Sequence, residues 1–148
     1  SMSDIKQGVT LEVFGEGWSP GPVKRKVQNV DSLWTTLGGY FRYMMKNGLS
    51  PNIASFVGAT TVRIHELGYA KRPPTPDELK RMQALVKQAM EEGAMGLGSS
   101  LIYAPADYAT TEELIELAKV AASYGGMYTT HMRSEGDFIL KALDETFR

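Results

Sequence analysis

Apolar positions fall into four short runs, and each run is followed by apolar residues at helical spacing. Val9-Thr10-Leu11-Glu12-Val13-Phe14 is β-branched and aromatic between Gly8 and Gly15, which predicts a strand. A loop stiffened by proline follows through Trp18-Ser19-Pro20-Gly21-Pro22. Asp31 then predicts the cap of a helix carrying Leu33, Trp34, Leu37, Phe41, Met44 and Met45 and closed by Gly48, with Gly38-Gly39 counting against it. Ile53 to Val57 and Thr61 to Ile64 predict the next extended region, broken near Gly58. Thr75-Pro76-Asp77-Glu78 is a capping box with proline at the first helical position, opening a helix through Leu79, Met82, Val86 and Met90 to Gly93. Ala94-Met95-Gly96-Leu97-Gly98 predicts a buried parallel strand. Thr110-Thr111-Glu112-Glu113 predicts a second capping box, with Leu114, Leu117, Ala118 and Ala121 on one helical face. A strand ending on His131 and a helix with Phe138, Ile139, Ala142, Leu143 and Phe147 complete the pattern.

Strand then helix, four times over, predicts an α/β fold with a parallel sheet and right-handed crossovers. The 148 residues are about one domain's worth, so residues 1–148 are read as one domain. Four units fit either a small doubly wound sheet or half of an eight-stranded barrel, and periodicity does not choose between them. Ser1-Met2 reads as an expression scar in front of the native start, after which the chain is expected to run straight into its first strand.

Charge narrows the range of partners. Sixteen Lys and Arg against seventeen Asp and Glu leave a net charge of -1, so neither nucleic acid nor a membrane surface is an expected partner. Lys24, Arg25 and Lys26 form the tightest basic cluster and read as a solvated loop. The absence of cysteine removes disulfides, thiol nucleophiles and zinc-thiolate sites and fits a cytoplasmic location. No apolar stretch reaches membrane-spanning length.

Candidate chemistry sits where strands end. Groups that react in parallel α/β folds occupy the carboxyl ends of strands. His131 ends one strand there, and Glu16, within Gly15-Glu16-Gly17, ends another. An imidazole at such a place suits a metal or a proton, yet His131 taken alone equally suits a core histidine bonded to a carbonyl. Glu16 taken alone equally suits a solvated turn. His65, in Arg63-Ile64-His65-Glu66, reads as surface or loop, and Arg133 with Glu135 reads as a local charge pair. Gly96-Leu97-Gly98-Ser99-Ser100 is a weak phosphate-loop pattern, lacking the lysine and the full glycine spacing.

Six blocks, in order, carry a resemblance to a known family. They are Gln7-Gly8-Val9-Thr10, Gly15-Glu16-Gly17-Trp18-Ser19-Pro20-Gly21-Pro22, Gly93-Ala94-Met95-Gly96-Leu97 and Leu101-Ile102-Tyr103-Ala104-Pro105, then the segments 108–114 and 124–133. Together they resemble the N-acyl-D-amino-acid deacylases, D-aminoacylase-like members of the amidohydrolase superfamily. The resemblance implies about strands two to five of a metal-dependent (β/α)8 TIM barrel. It implies that His131 is a metal ligand and that Glu16 is another, standing where many members have cysteine. It places Tyr103 and Arg133 on loops bordering the substrate pocket. The expected metal is zinc and the expected substrate a small N-acyl-D-amino acid, whose amide is hydrolysed. The family's His-x-His, its later histidine and its catalytic aspartate have no counterpart here, so no catalytic residue is expected in this chain and the isolated chain is expected to be inactive. Four strands cut from a barrel would leave open edges, which predicts a homo-oligomer. A non-catalytic, self-associating half-barrel module is the alternative, and a doubly wound phosphate-binding domain a third.

Overall fold

Extended runs lie side by side in the order in which the chain makes them. The computed structural model describes residues 2–27 and 30–148. A short helix α1 (Met2–Lys6) precedes β1 (Leu11–Phe14), so the chain does not enter its first strand directly. A two-residue antiparallel ribbon, β2 (Lys26–Val27) with β3 (Val30–Asp31), leads to helix α2 (Leu37–Asn47). β1 then pairs in parallel with β4 (Asn52–Ser55), Leu11 opposite Asn52 and Phe14 opposite Ser55. One residue further the same run becomes β5 (Val57–Gly58), which pairs in parallel with β6 (Gly96–Ser100). Between them the Phe56 amide still donates to the Phe14 carbonyl, while the Met95 amide donates to the Ser55 carbonyl. β6 pairs in parallel with β7 (Met127–His131), Ser100 opposite His131. The order never reverses along the sequence.

Partners across a parallel ladder share a face, so Val57, Leu97 and Ser99 look the same way. All three are fully buried. Helices α3 (Ala59–Leu67), α4 (Pro76–Glu91) and α5 (Thr111–Ser123) cover that face, and Val62, Met82, Val86, Leu114 and Leu117 join Val57 and Leu97 in the core. Leu97 therefore lies under helices. Tyr128, opposite it, follows the same side and bonds through its hydroxyl to Ser99 Oγ at 2.7 Å. The opposite face of β6 and β7 carries Gly96, Gly98, Ser100, Met127, Thr129 and His131.

Three local expectations are corrected. Thr61 to Ile64 are helical, inside α3, because Thr60, Thr61, Val62 and Arg63 are all buried there and packing overrides β-branched propensity. The first long helix starts at Leu37 with Thr36 as its cap, the Thr36 hydroxyl accepting from the Gly39 amide at 3.0 Å. Asp31 belongs to the ribbon, and its side chain lies outside the described residues, as does that of Lys26. Ser1 is also outside them, so the reading of Ser1-Met2 is not addressed. The Thr75–Glu78 capping box is present in both directions, but Thr110 caps α5 alone. Glu113, meant to complete the second box, instead turns inward to Arg63. The last helix, α6 (Ile139–Thr146), buries Ala142 but leaves Leu140 exposed, along with flanking Phe138 and Phe147.

Candidate functional site

β1 ends at Phe14, and the next residue, Gly15, has a φ of 98° that favours glycine and turns the backbone onto the open face of β6. There the chain lies against strand glycine. A Cβ on Gly98 would stand 2.0 Å from the Gly15 carbonyl oxygen and 3.1 Å from the Glu16 Cα. A Cβ on Gly17 would stand 2.4 Å from Ser100 Cβ, and Ser100 is the ladder partner of His131. Gly15 and Gly17 are buried while Glu16 between them is exposed. A carboxylate is thus carried across β6 on buried backbone, at the carboxyl end of the parallel strands where His131 also stands.

His131 is half-buried at the end of β7. Its Nε2 lies 3.3 Å from Glu135 Oε1. The exposed Tyr103 ring, on the loop after β6, stands 5.5 Å from the imidazole at an interplanar angle of 57°. Glu16, Tyr103 and His131 therefore gather at one end of the sheet.

Arg133 is more heavily engaged than its sequence suggests. Its Nε and Nη2 bind the two oxygens of Glu145 at 2.9 and 2.8 Å, while Nη1 and Nη2 donate to the carbonyls of Asp107 and Ala109 at 2.8 and 2.9 Å. The partner of Arg133 is therefore Glu145, not Glu135. Hydrogen bonds from Arg133 hold the Glu145 carboxyl below its ordinary value, and those from Glu145 hold Arg133 above its own. Beside this pair, between the start of α5 and α6, opens a cavity of about 670 Å³ lined by Thr111, Arg133, Ser134, Phe138, Lys141 and Glu145, among others. Glu16, Tyr103 and His131 are not part of its wall.

Other candidates resolve simply. His65 sits within α3, its Nδ1 3.0 Å from Glu66 Oε1. Gly96 to Ser100 is a buried strand, and Ser99 Oγ is engaged by Tyr128 and by Thr130 Oγ1 at 2.8 Å, so the stretch is not a phosphate loop. Sequence reasoning missed Arg63, Glu113 and Glu145, whose partners lie far along the chain; the polar Thr110–Glu113 run was the nearest signal. Among the described residues no three His, Cys, Asp or Glu side chains group to hold a metal. No helix among them is long and apolar enough to cross a membrane.

No protein-family model matches the chain. Individual proteins do. It is 36% identical over 154 aligned residues to the D-aminoacylase of Alcaligenes xylosoxydans xylosoxydans, covering 97% of this chain and 32% of that protein. It is 31% identical to the N-acyl-D-aspartate deacylase of the same organism, covering 97% of this chain and 31% of that one. Among solved structures it superposes on a D-aminoacylase described as defining a novel subset of amidohydrolases, with TM-score 0.83 and 35% identity. A D-aminoacylase studied for its binuclear metal centre gives TM-score 0.85 and 34% identity. The N-acyl-D-glutamate deacylase of Bordetella bronchiseptica, complexed with zinc and a phosphonate inhibitor, gives 0.80 and 28%. Each structural match covers 97% of this chain and 32% of the other. In sequence and in fold the chain is thus related to the N-acyl-D-amino-acid deacylases among the amidohydrolases, and it spans about a third of the length of the relatives it matches.

Proposed function

We propose that this chain carries part of the site of a metal-dependent amidohydrolase that hydrolyses the amide of N-acyl-D-amino acids, with zinc as the metal and Glu16 and His131 as two of its ligands. One observation carries the reading: both residues stand at the carboxyl end of parallel strands, Glu16 laid over β6 at Gly98 while the next residue, Gly17, lies against Ser100, the ladder partner of His131. Tyr103 against His131 forms a wall for the substrate. Arg133, two residues beyond His131, is read as the second residue on the substrate side, with a single N–H, on Nη1, left to offer. The strands are read as about the second to fifth of a (β/α)8 barrel, all within one domain. A strand order without reversal supports this over a doubly wound sheet, whose order reverses at a switch point.

Imidazole and carboxylate suit zinc, but two donors are fewer than the three protein ligands of a catalytic site. No hydrolytic step is therefore assigned to this chain, and alone it is expected to be inactive. A second reading, a non-catalytic module that associates with itself, is favoured by the exposed Phe138, Leu140 and Phe147 and by half-exposed Leu11 and Val13 on β1.

Calorimetric titration with zinc tests the first reading. Binding should weaken at least about tenfold, or about 1.4 kcal/mol, in Glu16→Ala and in His131→Ala, and no amino acid should be released from N-acetyl-D-amino acids. Equal zinc affinity in all three proteins would remove the ligand assignment. Release that disappears in either variant would show the chain to be active. Light scattering at micromolar concentration tests the second reading, which a monomer would end.

A further inference from the structure

We propose that Arg133 is a positioning residue for this site, locking the end of β7, which carries His131, to the loop that carries Tyr103; its meaning for catalysis rests on the metal-site reading above. The argument is one of geometry. Arg133 follows His131 by two residues, so its backbone moves with the end of β7. Its side chain reaches across to the carbonyls of Asp107 and Ala109, in the segment between β6 and α5 that also contains Tyr103. The other edge of the guanidinium forks onto Glu145 of α6, and Glu145 Oε1 also accepts from the Thr111 hydroxyl at 2.8 Å, at the start of α5. One planar group thus joins the chain leaving β7, the loop after β6 and, through Glu145, two helices.

A guanidinium has five N–H donors in a rigid fork, and four of them are committed here. That leaves little for a substrate carboxylate, which is ordinarily gripped by two parallel N–H groups. The same commitment fixes what lies on either side of it. The Tyr103 ring belongs to the loop after β6 and the His131 ring to the end of β7, and their 5.5 Å separation depends on those two segments being held in register. A lysine would preserve the charge but not the fork, so it should not replace Arg133.

Magnetic resonance on the whole metal-free chain tests this without any activity. Cross-relaxation between the ring protons of Tyr103 and His131 should be observed in the natural sequence. It should be lost in Arg133→Ala and equally in Arg133→Lys, with the amide resonances of core residues such as Val62 and Leu117 unmoved. Retention of the ring signals in a folded Arg133→Ala protein, or their rescue by lysine, would overturn the proposal. If Arg133→Ala fails to fold, Glu145→Gln decides: it keeps the shape but halves the fork, so the ring signals should weaken, and signals at full strength would overturn the proposal. Zinc added to the natural sequence separates the two readings, because His131 resonances that do not respond would end the metal assignment while leaving the positioning result intact.

Discussion

Arg63 and Glu113 form an ion pair closed off from water, their side chains 1% and 2% exposed and their nearest atoms 2.6 Å apart. Arg63 also donates from Nη2 to the carbonyls of Ala70 and Arg72, at 3.2 and 2.6 Å. One side chain thereby ties α3 and the link that follows it to the first turn of α5. Burial pushes the Glu113 carboxyl above its ordinary value, and the hydrogen bond from Arg63 works against that push. The pair itself need not stabilise the fold, since taking both charges out of water offsets most of their attraction. Removing one partner is different. Glu113→Ala would strand a guanidinium with no water in reach, which costs about 3–5 kcal/mol. Against a stability of about 5–15 kcal/mol for a domain of ordinary size, that is a large share of the total.

Urea unfolding followed by the fluorescence of Trp18 and Trp34 measures the effect directly. With a slope of about 2 kcal/mol per molar urea, the midpoint should fall by about 1.5–2.5 M in Glu113→Ala. The double variant, Arg63→Met with Glu113→Leu, should recover part of that loss, because no charge is then left unpaired. It should not recover all of it, since the Ala70 and Arg72 carbonyls lose their donor, a smaller cost because Ala70 is half-buried and Arg72 exposed, so water can take the donor's place. A Glu113→Ala midpoint within about 0.3 M of the natural sequence, at unchanged slope, would refute the reasoning: the pair would then be reached by water or relaxed by rearrangement. A double variant less stable than Glu113→Ala would refute it as well.

Two further outcomes follow from the same contacts. Glu145 is held below its ordinary value of 4.5 by Arg133, so its stabilisation is present above that pH and is lost as pH falls below it. The stability difference between the natural chain and Glu145→Gln, about 1 kcal/mol or less for a partly exposed pair, should be constant near neutrality and narrow in acid; a difference that grew as pH fell would contradict the assignment. A Cβ at Gly98 would press on the Gly15 carbonyl oxygen at 2.0 Å, whereas one at Gly136 meets nothing within 4 Å. Gly98→Ala should cost about 1–3 kcal/mol, a melting temperature about 3–10 °C lower, while Gly136→Ala should melt with the natural chain; equal melting of the two variants would refute the packing argument.

The strands of the parallel ladders were legible because each announces itself locally, whereas the two-residue strands β2 and β3 were not. Val9 to Phe14, Ile53 to Val57 and Gly125 to His131 combine strand-forming or apolar residues with glycine or charged boundaries; the first and last contain an observed strand, and the second overlaps β4 and β5. The capping box at Thr75 was legible for the same reason, both of its hydrogen bonds lying within four residues. What failed were the places where a distant partner outbids a local one. Thr61 to Ile64 looks extended, yet it is helical because Val62 and its neighbours fill the core between α4 and β6. Glu113 has the spacing to accept from the backbone N–H of Thr110, yet Arg63, fifty residues earlier in the chain, takes the carboxylate. Arg133 has Glu135 close by in sequence, yet the helix that follows delivers Glu145 to two of its three nitrogens. Spacing tells which bonds a side chain can make locally, and it is silent about competitors brought by the fold.

Glu16 shows the opposite case, in which the fold explains a pattern that the sequence had made visible without a cause. Gly15-Glu16-Gly17 reads as a turn with a carboxylate, and nothing local says why both flanking residues lack side chains. The reason lies on other strands. A Cβ on Gly15 would meet the Phe56 carbonyl oxygen at 2.2 Å and one on Gly17 would meet Ser100 Cβ at 2.4 Å, while the strand glycines Gly58 and Gly98 make room in turn for the Gly17 and Gly15 carbonyls. The turn and the strands beneath it are therefore shaped to each other through backbone, with no contribution from the Glu16 side chain, which is exposed. This separates position from chemistry. Replacing Glu16 should leave the path of the chain over β6 unaltered, so a loss of zinc affinity in Glu16→Ala would report the missing carboxylate and not a displaced loop. Replacing Gly98 should do the reverse, shifting the carboxylate while leaving its chemistry in place. Only the pair of variants together tells whether it is the oxygen atoms of Glu16 or their location that a metal would require.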